Sequence, residues 1–255
     1  MIGDGMGRFI PFDGSTMRPA ERAILGLMLL GFLPAALVSQ ERNGEIRGFV
    51  VDSRREPVNG PQAVLRGPGI ERTAQGDNAG LYRFIAVPAG EYEVTITGPF
   101  FYTSTIRAVR LEGNAVRVLP PVELIFEAFD CSARAPDYLR PLDRFDPDKG
   151  ALGGIIRGDR GRALAEAKVT LFVPGAGVTN STITDREGRF SVIDVPLRRD
   201  YRIEVARDGY FTEEFADFKI QAGYEAIYDR LYLEPCESGR CQSSLRPIRI
   251  LPQCQ

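Results

Sequence analysis

The sequence predicts an all-β protein, with two tandem Greek-key β-sandwiches of about seven strands each following an N-terminal signal helix. Three observations predict this. One pattern is written twice, about 108 residues apart. Within each copy, apolar and polar residues alternate with a period of two, so a strand would turn one face to a core and the other to solvent. Turn-forming clusters of Gly, Pro, Asp and Asn punctuate the alternating runs at short intervals.

Residues 1–39 form a leader. Its apolar run at 23–38, AILGLMLLGFLPAALV, follows Arg18 and Arg22 and exits through Ala35, Ala36 and Ser39. A basic start, an apolar middle and a small-residue exit read as a secretory signal peptide, cleaved near Ser39–Gln40. Pro34 and a run shorter than the roughly 20 residues of a membrane span favour cleavage over an anchor. No cysteine stands at the exit, which argues against a lipoprotein. Met17, next to Arg18, makes a better start than Met1.

The first sandwich is expected over 40–130. EIRGFVVD at 45–52 places Gly48 inside a β-branched run, and ALGGIIRGD at 151–159 does the same with Gly154. DNAGLYRFIAVPAGEYEVTI (77–96) matches DREGRFSVIDVPLRRDYRIEV (185–205), with one residue inserted before the second tyrosine. Asp77 thus pairs with Asp185, Gly80 with Gly188, Val87-Pro88 with Val195-Pro196 and Tyr92 with Tyr201. Tyr92, Val94 and Ile96 are expected to point inward, as are Tyr201, Ile203 and Val205. PFFYT (99–103) then matches DGYFT (208–212).

A linker, 131–149, is rich in Pro, Asp and Arg and reads as an ordered but irregular spacer. The second sandwich covers 150–235. Its Tyr224, Tyr228 and Tyr232 recur every four residues, which on a last strand would put all three on one side. The tail, 236–255, holds three of the four cysteines. In an exported chain Cys131, Cys236, Cys241 and Cys254 suggest disulfides, and four cysteines allow three pairings. The preferred one is Cys236–Cys241 with Cys131–Cys254. The longer bond would contribute about 4 kcal/mol in the chain-entropy model.

Composition narrows the function. The 255 residues carry a formal charge of −2, so no global field attracts nucleic acid or an anionic membrane. There is no histidine, which removes the usual general base and the commonest zinc ligand. Serine triads, Cys–His nucleophiles and His-ligated metals are thereby excluded. There is no tryptophan either, the best platform for stacking a sugar. An enzyme would need paired carboxylates such as Glu213 with Glu214 or Asp143 with Asp146. The first pair, adjacent on a strand, would face opposite ways.

A glycine-bearing first strand, then D-x-x-G-x-[YF]-x-[FV] and V-P-x-G-x-Y-x-V, resembles the carboxypeptidase regulatory-like domain. Asp77, Gly80, Tyr82, Phe84, Val87, Pro88, Gly90, Tyr92 and Val94 carry the pattern first. Asp185, Gly188, Phe190, Val192, Val195, Pro196, Tyr201 and Ile203 carry it again, with Arg198-Arg199 where the turn glycine is expected. The resemblance implies a transthyretin-like, starch-binding-like sandwich of the kind found as an accessory module on carboxypeptidases, surface adhesins and outer-membrane transporters. It implies no catalysis and no cofactor.

The resulting expectation is an exported, non-enzymatic binding or structural module, periplasmic or at the cell surface. Its partner would be an envelope protein or a glycan, and not nucleic acid. After signal cleavage no membrane span remains. Two other readings stay open, a carbohydrate-binding protein of the starch-binding type and a passive spacer in a larger assembly. The aromatics Phe100, Phe101 and Tyr102, with Tyr210 and Phe211, could contact a ligand or close one end of a core. Asp77 and Asp185 could bind calcium, but aspartate at such positions usually caps its own turn. An isopeptide bond of the pilin type fits poorly, because neither first strand offers the lysine.

Overall fold

The computed structural model describes residues 43–126, 135–173, 177–197 and 201–236. The leader, Cys131, the Arg198-Arg199 turn and the tail beyond Cys236 lie outside these residues. The first repeat holds β1 (Gly44–Val51), β2 (Gln62–Gly67), β3 (Ile70–Gln75), β4 (Leu81–Val87), β5 (Gly90–Thr97), β6 (Ser104–Leu111), β7 (Val116–Val118) and β8 (Val122–Glu123). The linker contributes β9 (Tyr138–Pro141). The second repeat holds β10 (Lys149–Arg157), β11 (Lys168–Val173), β12 (Gly177–Ile183), β13 (Arg189–Pro196), β14 (Tyr201–Ala206), β15 (Glu213–Phe218) and β16 (Tyr224–Tyr232). Among the described residues the only helical element is one 3-10 turn, Asp159–Gly161.

Each repeat is two sheets face to face. One sheet centres on the first strand, ordered β4-β1-β7 with β8 also on β1 in the first repeat and β13-β10-β16 in the second. The other is β3-β2-β5-β6 in the first and β12-β11-β14-β15 in the second. The expected alternation holds. Tyr92, Val94 and Ile96 are buried, as are Tyr201, Ile203 and Val205. Irregularities repeat as well. Ala86 and Asp194 both take a positive φ, 53° and 58°, at matching bulges against β1 and β10.

Gly48 and Gly154 have a reason that emerges only across strands. Gly48 is in register with Tyr82 and Gly154 with Phe190. A Cβ on Gly48 would lie 2.5 Å from the Tyr82 hydroxyl oxygen, and one on Gly154 would lie 2.8 Å from a Phe190 ring carbon. Each glycine is therefore a notch into which the neighbouring ring lies. The two hydroxyl tethers also match, with Tyr92 donating to the Pro88 carbonyl at 2.7 Å and Tyr201 donating to that of Pro196.

Two expectations need correction. The linker is not wholly irregular, because β9 pairs antiparallel with β16 and parallel with β6, where Ile106 faces Leu139. Prolines 136 and 141 bracket this short strand instead of preventing it, since proline is tolerated at a strand end. One eight-stranded sheet therefore runs β13-β10-β16-β9-β6-β5-β2-β3 through both repeats. Leu139 is fully buried in a core that continues from one repeat into the other. The second correction concerns the tyrosines. Tyr224 and Tyr228 are buried, but Tyr232 is 45% exposed. Between Gly154 and Ile156 the register on β16 advances from Tyr228 to Leu231. That extra residue is a bulge, which inverts the alternation and sends Leu231 inward in place of Tyr232.

Candidate functional site

The motif turns are built for structure. Asp77 Oδ1 accepts the amides of Ala79 and Leu81, both at 2.9 Å, and Asp185 Oδ1 accepts those of Glu187 and Arg189 at 3.0 and 2.8 Å. Gly80 and Gly188 then take positive φ of 75° and 73°. A Cβ on either would lie within 2.6 Å of the first strand's backbone carbonyl oxygens, Val50 O and Ile156 O. Both carboxylates thus hold the hairpin in shape, and no cluster of three or more metal-ligating side chains occurs among the described residues.

The aromatic turns are matched residue for residue. Phe101 N–H donates to Gly98 O, and Tyr210 N–H donates to Arg207 O. Phe101 bridges Phe126 as Tyr210 bridges Pro235. Tyr102 N–H donates to Ile125 O, and Phe211 N–H donates to Glu234 O. In this frame Phe101, Tyr102, Tyr210 and Phe211 are all half-buried. Tyr210 closes its end of the second sandwich against Gly158, where a Cβ would meet its ring at 2.8 Å.

Phe100 is the exception. It sits at the third position of the turn, after Pro99, and its counterpart in the second repeat is Gly209. Proline fixes a negative φ at the second position, so the positive φ that follows is type II geometry, which calls for glycine. Gly209 complies at φ 82°, whereas Phe100 is held at φ 68° with its side chain 72% exposed. The backbone cost of such a conformation in an L-residue is about 1–2 kcal/mol. Phe126, 36% exposed, stands beside it with ring centroids 6.4 Å apart, and Phe101 meets the same Phe126 edge-on at 5.3 Å. The tip of the first repeat is therefore an exposed aromatic patch. Sequence reading named Phe100 without singling it out and passed over Phe126. Setting Phe100 against Gly209 would have marked it.

Glu213 and Glu214, one of the pairs considered from sequence, face opposite ways on β15. Glu213 is turned inward at 1% exposure, while Glu214 binds Arg202 at 2.7 Å. Asp146 caps its own loop through the Asp148 amide. A different acidic pair, Asp137 and Asp229, meets where β9 joins β16. The Asp229 amide donates to Asp137 Oδ2 at 2.7 Å, and Arg230 binds Asp137 at 3.3 Å. Burial first, and the Asp137 charge second, hold the Asp229 carboxyl above the usual aspartate range, against the pull of Arg107, Arg157 and Arg230. Between the repeats lies a cleft of about 490 Å³ bordered by Val51, Arg55, Phe145 and Ile220. On its border Gln221 clasps the backbone of Glu123, accepting its N–H at 3.0 Å and donating to its carbonyl at 3.1 Å. Close by, Tyr224 donates to the Pro120 carbonyl at 2.7 Å. The positions of Cys131, Cys241 and Cys254 lie outside the described residues.

The model of the carboxypeptidase regulatory-like domain matches residues 45–123 and 151–229. No curated protein matches the chain. Among solved structures, the chain is similar to the Bacillus anthracis TIE protein at 14% identity and TM-score 0.30, covering 76% of this chain and 34% of that one. This chain thus spans about a third of the length of that protein. It is also similar to the shaft pilin of Lactobacillus rhamnosus GG (9% identity, TM-score 0.28, covering 77% of this chain and 98% of that one). A third likeness is to a candidate carbohydrate-binding protein of Bacteroides uniformis (17% identity, TM-score 0.29, covering 71% and 95%). No helix among the described residues is long and apolar enough to cross a membrane.

Proposed function

The chain belongs to the carboxypeptidase regulatory-like domain family, with two tandem copies, and from that premise we propose that it is an exported, non-enzymatic binding module of the bacterial cell envelope that presents the aromatic tip of its first repeat to a partner. One observation carries the reading. Phe100 occupies a turn position where the sister repeat has glycine, at positive φ and 72% exposed. A strained backbone and a large solvated ring are both unfavourable in the free protein, and strain of this kind concentrates at functional positions. Phe126 and Phe101 extend the surface, so the tip offers an apolar anchor of the sort that dominates protein interfaces. The basic leader and the cysteine content support export.

A glycan partner is the second reading, and the same rings favour it, because an aromatic face stacks on a sugar. To test both, the full-length mature protein is immobilised and offered solubilised envelope proteins and, separately, a glycan array. Wild type is expected to retain one class of ligand, and Phe100→Ala to weaken that binding by about tenfold or more. Equal binding by the two proteins would remove the tip as the site. No retention by wild type in either arm would favour the passive-spacer reading.

A further inference from the structure

Strand β7 is patterned inside out. Val116 and Val118 face solvent, and Arg117 between them turns inward. Alternation on a sandwich strand would put the valines on the core side and the arginine outside. The second repeat shows the ordinary form. There β16 lies parallel to β10 as β7 lies parallel to β1. Arg117 is in register with Ile46, two positions before the notch at Gly48, and Ala226 is in register with Leu152, two positions before the notch at Gly154. Ala226 is fully buried. The first repeat thus carries a guanidinium where its sister carries a methyl group.

The guanidinium has no acid to neutralise. It makes no ion pair or hydrogen bond among the described residues, and its Nε is buried without an acceptor. A buried donor left unpaired is unfavourable, and a position that breaks the local pattern without an internal gain is where function is expected. The side chain borders a cleft of about 920 Å³ among β6, β7 and β9. Two other arginines on the border are already matched, Arg110 by Glu91 at 3.1 Å and Arg140 by Glu225 at 2.9 Å. Glu112 and Asp143 border the same cleft, and neither carboxylate has an ion pair among the described residues. One cation and two carboxylates therefore line one space without closing on each other.

That charge pattern selects a ligand. A polyanion such as phosphate would meet Arg117 but be repelled by Glu112 and Asp143. A molecule with a carboxylate at one end and an ammonium at the other satisfies all three, and the arginine fork suits a carboxylate. Leu111, Ala115 and Leu142 give the cleft an apolar lining for small side chains. We infer that this cleft binds a short zwitterionic peptide, its carboxylate held by Arg117 and its ammonium set against Glu112 and Asp143. The cleft includes the start of β5 and the end of β6, whereas the aromatic tip lies at the turn joining the two strands, so either reading can fail alone.

The full chain, labelled with nitrogen-15, is titrated with alanyl-alanine, its N-acetylated form, its C-terminal amide and inorganic phosphate, each at millimolar concentrations. Alanyl-alanine is expected to shift amides of 110–117 saturably and to bind about tenfold or more tighter than the other three. Arg117→Met keeps the stem and removes the donors, and Arg117→Ala installs the residue of the sister repeat. Both should weaken the dipeptide by about tenfold or more without lowering the midpoint of thermal unfolding. Glu112→Gln with Asp143→Asn should weaken the dipeptide but not its N-acetylated form. No saturable binding, equal binding of a capped form or of phosphate, or equal binding by Arg117→Met would overturn the inference. So would a lowered midpoint in both Arg117 variants, which would make the residue structural, or an unchanged dipeptide affinity in the doubly neutralised variant.

Discussion

Replacing Phe100 in two ways separates backbone strain from ring packing. The side chain keeps 72% of its surface exposed. Of the roughly 200 Å² a phenylalanine can bury, about 56 Å² is covered, which is worth about 1.4 kcal/mol. Phe100→Ala removes that contact and leaves an L-residue at positive φ, so it is expected to lose about 1.4 kcal/mol. Phe100→Gly removes the same contact but relieves about 1–2 kcal/mol of left-handed strain. It also gives the unfolded chain more freedom, which takes back about 0.4–1 kcal/mol. Phe100→Gly should therefore be more stable than Phe100→Ala by about 0.8 kcal/mol, the reverse of the usual order at an extended position. Urea denaturation followed by circular dichroism measures both, with an unchanged m-value as the sign that only native stability has moved. Both variants should lose partner binding alike. If the alanine variant equals or exceeds the glycine variant, the strain argument is wrong and Phe100 is an ordinary surface residue.

Three further outcomes are expected. Leu139→Ala, at a fully buried position on the strand shared by both repeats, should cost about 2–5 kcal/mol while wild type and variant each unfold in one transition; separate transitions for the two repeats in wild type would contradict the continuous core. Tyr224→Phe leaves the Pro120 carbonyl without its donor and should cost about 1–2 kcal/mol, checked by the same denaturation. Asp229→Asn should stabilise at neutral pH. The folded carboxyl titrates above its unfolded value, so wild type loses stability as pH rises from the unfolded toward the folded pKa. The gain in the variant should therefore vanish once pH falls below the ordinary aspartate range, and thermal melts across pH would show a persistent gain if the raised carboxyl were not its source.

Local pattern carried much of this architecture. Tyr92, Val94 and Ile96 alternate with Glu93 and Thr95, and period two is enough to assign their faces. Asp77 and Gly80 mark their turn because an aspartate capping two amides and a glycine at positive φ are local necessities. What sequence reading missed depends on distant neighbours or on dihedral angles. The linker prolines suggested irregularity, but two foreign edges pull Tyr138–Pro141 into a strand, a tertiary effect stronger than propensity. Counting put Tyr232 on the same side as Tyr224 and Tyr228, and a single bulge residue on β16 moved it to the other face. Gly48 and Gly154 were visible as a repeated oddity, yet their purpose lies in rings on another strand. At Phe100 the signal was present as a mismatch with Gly209, but φ is not written in a residue's identity until two copies of one turn are compared.

The doubly paired β9 has a consequence for any ligand that grips the molecule at two points. The linker pairs with β16 through four residues and with β6 through Leu139, so one sheet runs through both repeats. The turns at 98–101 and 207–210 are therefore carried as a preset pair, with separation and orientation decided when the chain folds. A bivalent ligand would meet its second foothold without first having to immobilise a hinge, and that saving grows with the stiffness of the joint.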